Sequence, residues 1–261
     1  MKLKALLTMF MSVSMGLVPV VMNTTSIYQQ LEQERQRREQ ELKQQLKSYV
    51  PLIEADIAAE RVVEESIKHF RDSIGKTHFT TQYNLVLMQL GQSNDTIDVI
   101  DTINRKRKEA EQGDYIAQYF LGLLYYIGRV VPQNRSEAYK WFNRSAIHEY
   151  ENAQYSLGWM NNVGEGIIQD TQKAVKLYFL SAEKGNVFAQ LTLGCSYYLG
   201  EGVPRNIDQA YFWLLLGCAK SNEDLSEDAR GIRDMIATKL SVTKRDTIEK
   251  QAREYWTQKK W

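Results

Sequence analysis

His69, His78 and His148, with Cys195 and Cys218, are the only imidazoles and thiols in this sequence. Imidazole and thiolate bind zinc, or serve as base and nucleophile near neutral pH. None of the five has a partner at ligand spacing, and no G-x-S-x-G, Walker or dinucleotide fingerprint accompanies them. The histidines read as solvated side chains, and the expectation is a chain that is not an enzyme and holds no metal or cofactor. Recognition chemistry is better represented. Tyr119, Leu123 and Tyr126 stand at i, i+4 and i+7, as do Tyr155, Trp159 and Asn162, and Leu191, Cys195 and Tyr198. That spacing keeps each trio on one side of a helix, and Tyr and Trp are frequent anchors of protein interfaces.

The balance of charge agrees with recognition of a protein rather than of nucleic acid. Lys plus Arg is 33 and Asp plus Glu is 32, a formal net charge of +1, without the basic excess that coats phosphates. The run Arg105-Lys106-Arg107-Lys108 reads as a solvated helix face beside Glu109 and Glu111. With 43% apolar and 25% charged residues the chain can bury a core. Four prolines against fifteen tyrosines favour helices with aromatic packing.

The elements that place the three trios come from a repeat of 36 residues. One shift superposes Ala117, Ala153 and Ala189; Gln118, Gln154 and Gln190; Leu121, Leu157 and Leu193; and Gly122, Gly158 and Gly194. It also superposes Gly128, Gly164 and Gly200, then Ala138, Ala174 and Ala210. Ala, Gln, Leu and Gly at i, i+1, i+4 and i+5 form one side of a helix A, where small residues admit a second helix closely. The glycine six residues later suits a helix end that needs positive φ. Loops then close on Asn134, Asp170 and Asn206, good N-caps for a helix B. Glu137 and Gln209 complete capping-box spacing; Lys173 does not. Hairpins of one length stack into a solenoid.

The segments AQYFLGLLYYIGRVV…EAYKWFNRSA, AQYSLGWMNNVGEGI…KAVKLYFLSAEKG and AQLTLGCSYYLGEGV…QAYFWLLLGCA resemble Sel-one-like repeats, relatives of the tetratricopeptide repeat with a longer loop. The resemblance covers about residues 114–222. It implies an all-α, right-handed αα-hairpin solenoid, with an N-terminal helical extension and C-terminal capping helices. It also implies an adaptor that binds another protein. Repeat one departs from the pattern at Val130, where later copies have Gly166 and Gly202. Some members of the family staple helices with paired cysteines. Here Cys195 falls late in helix A and Cys218 late in helix B, far apart in an antiparallel hairpin, so two free thiols are expected.

Lys2 and Lys4 precede Ala5–Met22, a run without charge that reads as an export signal or a retained membrane anchor. The segments expected are 1–26 signal or anchor, 27–50 charged spacer helix, 51–80 N-terminal helical region and 81–113 degenerate repeat. Repeats at 114–149, 150–185 and 186–222 follow, then capping helices over 223–261. Pro51 is expected to break the spacer pattern, and Leu52–Phe70 carries apolar residues enough to pack on something. Ala229, Ile232, Ile236 and Leu240, then Ile248, Ala252 and Tyr255, suggest two capping helices.

The expectation is therefore a periplasmic or secreted scaffold that binds a protein partner on its concave face. The alternative is a membrane-tethered envelope or secretion-complex component, anchored in the inner membrane and facing the periplasm. Candidate partner-binding residues are Tyr119, Leu123, Tyr126, Tyr155, Trp159 and Tyr198, unless that face packs against the next helix A instead. No nucleic acid is expected, and membrane contact only if the first segment is retained. Trp159→Ala is expected to weaken partner binding without lowering the melting temperature.

Overall fold

Long stretches of Ala, Leu, Glu, Gln and Arg favour helix, and helices are the only regular elements among the residues described in this computed structural model. Those residues are 24–90, 96–220 and 223–259. Helix α1 spans Thr24–Leu90 and α2 Thr96–Glu111; three hairpins follow, α3 Tyr115–Ile127 with α4 Arg135–Ile147, α5 Glu151–Val163 with α6 Thr171–Ala182, and α7 Val187–Leu199 with α8 Ile207–Lys220. Helices α9 Glu223–Ala237 and α10 Val242–Lys259 complete the order. The run Ala5–Met22, read as signal or anchor, lies outside the described residues. Within them, no helix is long and apolar enough to cross a membrane.

The chain divides into two units, Met1–Glu60 and Arg61–Trp261. In the first, Gln33, Gln36, Arg37 and Gln40 of α1 are exposed, as their polarity dictates. Contrary to the break expected at Pro51, the helix continues through it. Proline costs a helix one hydrogen bond and a steric clash, and here good helix formers on both sides outweigh that loss. Likewise no new helix begins at Thr81: residues 81–90 are the last turns of α1.

In the second unit the periodic residues do what their spacing requires. Gly122, Gly158 and Gly194 are buried and lie against Phe142, Tyr178 and Leu214, one side chain from each helix B in the same register. Gly128, Gly164 and Gly200 end their helices with φ of 74°, 75° and 71°. Asn134, Asp170 and Asn206 accept from the backbone N–H three residues on, at 2.9–3.0 Å. The reciprocal half of the capping box is not made at Asn134 or Asn206, because Tyr125 and Tyr197 carbonyls already accept from their N–H groups.

Polar residues in register tie the helices within and between hairpins. Within a hairpin, Ser145 of helix B donates to the Tyr115 carbonyl of its helix A and Ser181 to the Glu151 carbonyl, both at 2.7 Å. Buried Gln118 and Gln190 donate to the Ala110 and Ala182 carbonyls at 3.0 and 3.2 Å, tying each helix A to the end of the preceding helix. Both α9 and α10 pack on α8, burying Ala229, Ile232, Ile236, Ile248 and Ala252. The result is an all-α repeat solenoid.

Candidate functional site

Past Arg61, the apolar residues of α1 fall into a helical stripe. Ile67, Phe70, Ile74, His78, Phe79, Tyr83, Val86 and Leu90 are all buried, at the steps of three, four and one that keep one face inward. Ile57 and Val62, which the sequence groups with them, are exposed. The stripe feeds both apolar clusters of the second unit, Ile67, Phe70 and Ile74 joining one and Phe79 to Leu90 the other. It lies on the helix-A side of the hairpins, the side that carries the three aromatic trios.

Four of the six candidate residues touch it. Phe79 stacks on Tyr126 with ring centres 3.9 Å apart and planes at 17°. Gly75 lies on Trp159 so closely that a Cβ at residue 75 would overlap the indole. The His78 ring packs edge-on to Tyr155 at 4.4 Å, and its Nε2 stands 3.2 Å from the Tyr119 hydroxyl. Leu123 is buried in the cluster that holds Phe79 and Tyr83. Tyr198 is buried with Arg205 4.8 Å from its ring and Lys239 at 5.9 Å. Neighbouring A helices also meet on this face: the Tyr119 hydroxyl is 3.4 Å from Ser156 Oγ, and that of Tyr155 3.4 Å from Thr192 Oγ1.

This burial corrects two expectations. His78 is not solvated but wholly enclosed, with Nε2 3.1 Å from Ser156 Oγ and Nδ1 without a hydrogen-bond partner among the described residues. Trp159 is 6% exposed, so truncating it leaves a void under Gly75 and lowers the melting temperature. The sequence carries one signal for both, the continuation of the apolar stripe past Phe70 to Leu90. It reaches Leu90 only if helical phase is carried through Gly75 and His78, two residues that ordinarily interrupt such patterns.

Charged pairs flank the stripe. Arg71, largely buried, donates to the Glu201 carboxylate in the third loop, and Arg205 lies 3.6 Å from Glu64. Burial opposes the charge on Arg71, yet Glu201 and, more weakly, Asp72 hold its pKa above the ordinary value. Arg135 pairs with Glu165 of the second loop at 3.5 Å and covers the Tyr126 ring at 3.8 Å. Burial alone pushes the His78 pKa down to about 3, and burial raises those of Tyr119, Tyr126 and Tyr155.

The arrangement grips a helix; it does not activate a nucleophile. Ser156 beside His78 is shut from solvent, and an imidazole with so low a pKa is a poor base at neutral pH. Among the described residues no group of three or more His, Cys, Asp or Glu is placed to hold a metal ion. Cys195 is buried and Cys218 half-buried, with no disulfide joining them; burial pushes their pKa up to about 12 and about 11.

Residues 116–148, 152–186 and 187–222 each match the family model of the Sel1 repeat. A crystal structure of a protective antigen present in uropathogenic Escherichia coli strains, displaying an SLR fold, is similar at 27% identity with a TM-score of 0.56. The similarity covers 73% of this chain and 40% of the antigen, so the chain spans less than half of that relative's length. A Sel1 repeat protein from Oxalobacter formigenes shares 30% identity over 50% of this chain and 98% of its own, with a TM-score of 0.45. No curated protein matches the chain. Sel1-repeat proteins are generally protein–protein interaction scaffolds. With three repeats in tandem and their buried glycines and capped loops in register, the chain belongs to the Sel1-repeat family.

Proposed function

We propose that this chain is an exported scaffold that binds another protein through a helix laid along the helix-A face. Tyr119, Leu123, Tyr126, Tyr155, Trp159 and Tyr198 are its anchoring residues, and residues 64–83 of α1 occupy the face until a partner replaces them. The observation that carries this reading is α1 itself: the face holds an amphipathic helix through stacked rings, a glycine contact and an Arg–Glu pair. Helix-in-groove recognition uses the same anchor spacing, and aromatic side chains in a desolvated groove supply most of an interface's energy. Lys2 and Lys4 before the uncharged run Ala5–Met22 support export. The likeness to a protective antigen is in keeping with it.

A labelled peptide of residues 61–84, followed by fluorescence anisotropy with the full chain, tests the groove. In the wild type the tethered copy outcompetes it through effective concentration. Arg71→Glu sets two carboxylates together and loosens the tether, so that variant binds the peptide at least tenfold more tightly. Adding Glu201→Arg restores the pair within the chain and removes the gain. Equal binding by wild type and Arg71→Glu, with helical circular dichroism retained, contradicts the proposal. A membrane-tethered component is the second reading, favoured by the 18 uncharged residues of Ala5–Met22, about 27 Å of helix. Association with membranes after carbonate washing distinguishes it from a cleaved, soluble form.

A further inference from the structure

One loop position changes the sign of its charge between repeats. Glu165 and Glu201 occupy the residue after the C-cap glycine in the second and third copies; Arg129 stands there in the first. Each carboxylate receives an arginine of this chain, Arg135 at Glu165 and Arg71 at Glu201. Arg129 is exposed, 5.8 Å from the centre of the Tyr83 ring, and makes no ion pair among the described residues. The periodic ion pair is thus inverted, with the cation present and no carboxylate paired to it among the described residues.

Arg129 borders a cleft of about 450 Å³ between the end of α1 and the first two loops. Lys76 stands on the same cleft, exposed and in no ion pair among the described residues. Arg135 and Glu165 also line it and largely cancel each other at 3.5 Å, which leaves the two cations of Lys76 and Arg129 in excess. Tyr83 lines the same cleft: it is 3% exposed and its hydroxyl has no hydrogen-bond partner among the described residues. A buried hydroxyl without a partner is left with an uncompensated loss of hydration, which a ligand acceptor there would recover. Phe79 and Trp159 give the cleft aromatic wall, beside the polar Thr80, Asn84 and Gln133. Two cations, an unused donor and aromatic wall suit a carboxylate next to an apolar side chain.

We infer that this cleft binds an acidic side chain of a partner protein, which supplies at repeat one the carboxylate that Glu165 and Glu201 supply at repeats two and three. The inference rests on the scaffold reading only in taking the ligand to be a protein: the pocket exists with α1 docked, since Lys76, Phe79 and Tyr83 belong to it, and is where a partner engages before α1 is replaced. A peptide carboxylate is favoured over a phosphate because the chain itself fills the two equivalent positions with carboxylates.

The probe is the acetylated peptide amide Ala-Glu-Phe-Glu-Ala-Glu, titrated into the full chain at low salt and followed by amide chemical shifts. Its glutamine counterpart and inorganic phosphate are the comparisons. The acidic peptide shifts the signals around Lys76, Tyr83 and Arg129 and binds at least tenfold more tightly than the glutamine peptide. Arg129→Glu, which gives repeat one the residue of the other copies, lowers that affinity at least tenfold with the melting temperature unchanged, and Arg129→Gln lowers it less. Equal binding of the two peptides, or acidic binding indifferent to Arg129→Glu, overturns the inference. Phosphate binding as strong as the peptide's and equally dependent on Arg129 also overturns it, assigning the cleft to free or lipid phosphate. Because the probe does not compete with α1, this result is separable from the outcome of the 61–84 experiment.

Discussion

Each A helix has two working sides, and they obey different rules. The side toward its own helix B repeats: Ala, Gly and Leu recur every 36 residues, and the glycines meet Phe142, Tyr178 and Leu214 in register. The side toward α1 does not repeat. It reads Tyr119, Leu123, Tyr126, then Tyr155, Trp159, Asn162, then Leu191, Cys195, Tyr198, because each repeat meets a different stretch of one non-periodic helix. A surface that faces a copy of the same neighbour is held to one solution, whereas a surface that faces a single long ligand takes the shape of that ligand at each point. Substitutions on the first side should therefore disturb the whole solenoid, and substitutions on the second should act on α1.

The largest effect is expected at Gly194. A Cβ there stands 2.7 Å from Leu214 Cγ and 3.1 Å from the Ala210 carbonyl oxygen, so Gly194→Leu forces α7 and α8 apart. Overpacking of this kind costs about 1–3 kcal/mol or more, read as a fall in the urea midpoint by circular dichroism. Gly75→Leu overpacks the other side against Trp159 with a similar local cost of about 1–3 kcal/mol. It should raise hydrogen exchange in residues 67–83 while the exchange of α3 to α8 stays close to wild type. A fall in protection of all helices together would erase the distinction between the two sides.

A smaller and reversible effect comes from pH. Docking keeps His78 neutral, with its pKa near 3 against 6.5 when released. The contribution is therefore complete above pH 6.5 and is lost as the pH falls from 6.5 toward 3. Between pH 7 and pH 5 that amounts to about 2 kcal/mol, roughly 25-fold in docking over the two pH units. Tyr119 and Tyr155 beside it have raised pKa values and stay neutral over that range. Exchange of residues 67–83 should rise on acidification, and His78→Phe should flatten that dependence. Least of all, Asn134→Ala removes one N-cap on the periodic side and costs about 1 kcal/mol, seen as a small drop in melting temperature with no change in the exchange of α1.

The same division explains what the sequence makes legible. Buried glycines, positive-φ glycines and N-caps recur, so a shift of 36 residues finds them and their roles follow from helix geometry. The cover on the other side is a single event with no second copy to compare. Ile67 and Phe70 stand out as apolar; Gly75 and His78 read as a weak helix position and a solvated ring until Trp159 and Ser156 are seen against them. Arg71 finds its carboxylate 130 residues away, a pairing that no local spacing encodes. Pro51 misleads in the opposite direction, since a penalty of one residue does not end a helix with strong formers on both sides.

Native-state hydrogen exchange on the unmodified full chain tests most directly whether α1 acts as a ligand of its own solenoid. A displaceable helix opens by itself, so the amides of residues 67–83 should exchange with a lower opening free energy than those of α5 and α7, and adding the 61–84 peptide should leave α5 and α7 protected. Exchange of all three through the same global opening, with one free energy and one dependence on denaturant, would make α1 an inseparable part of the core and contradict the account.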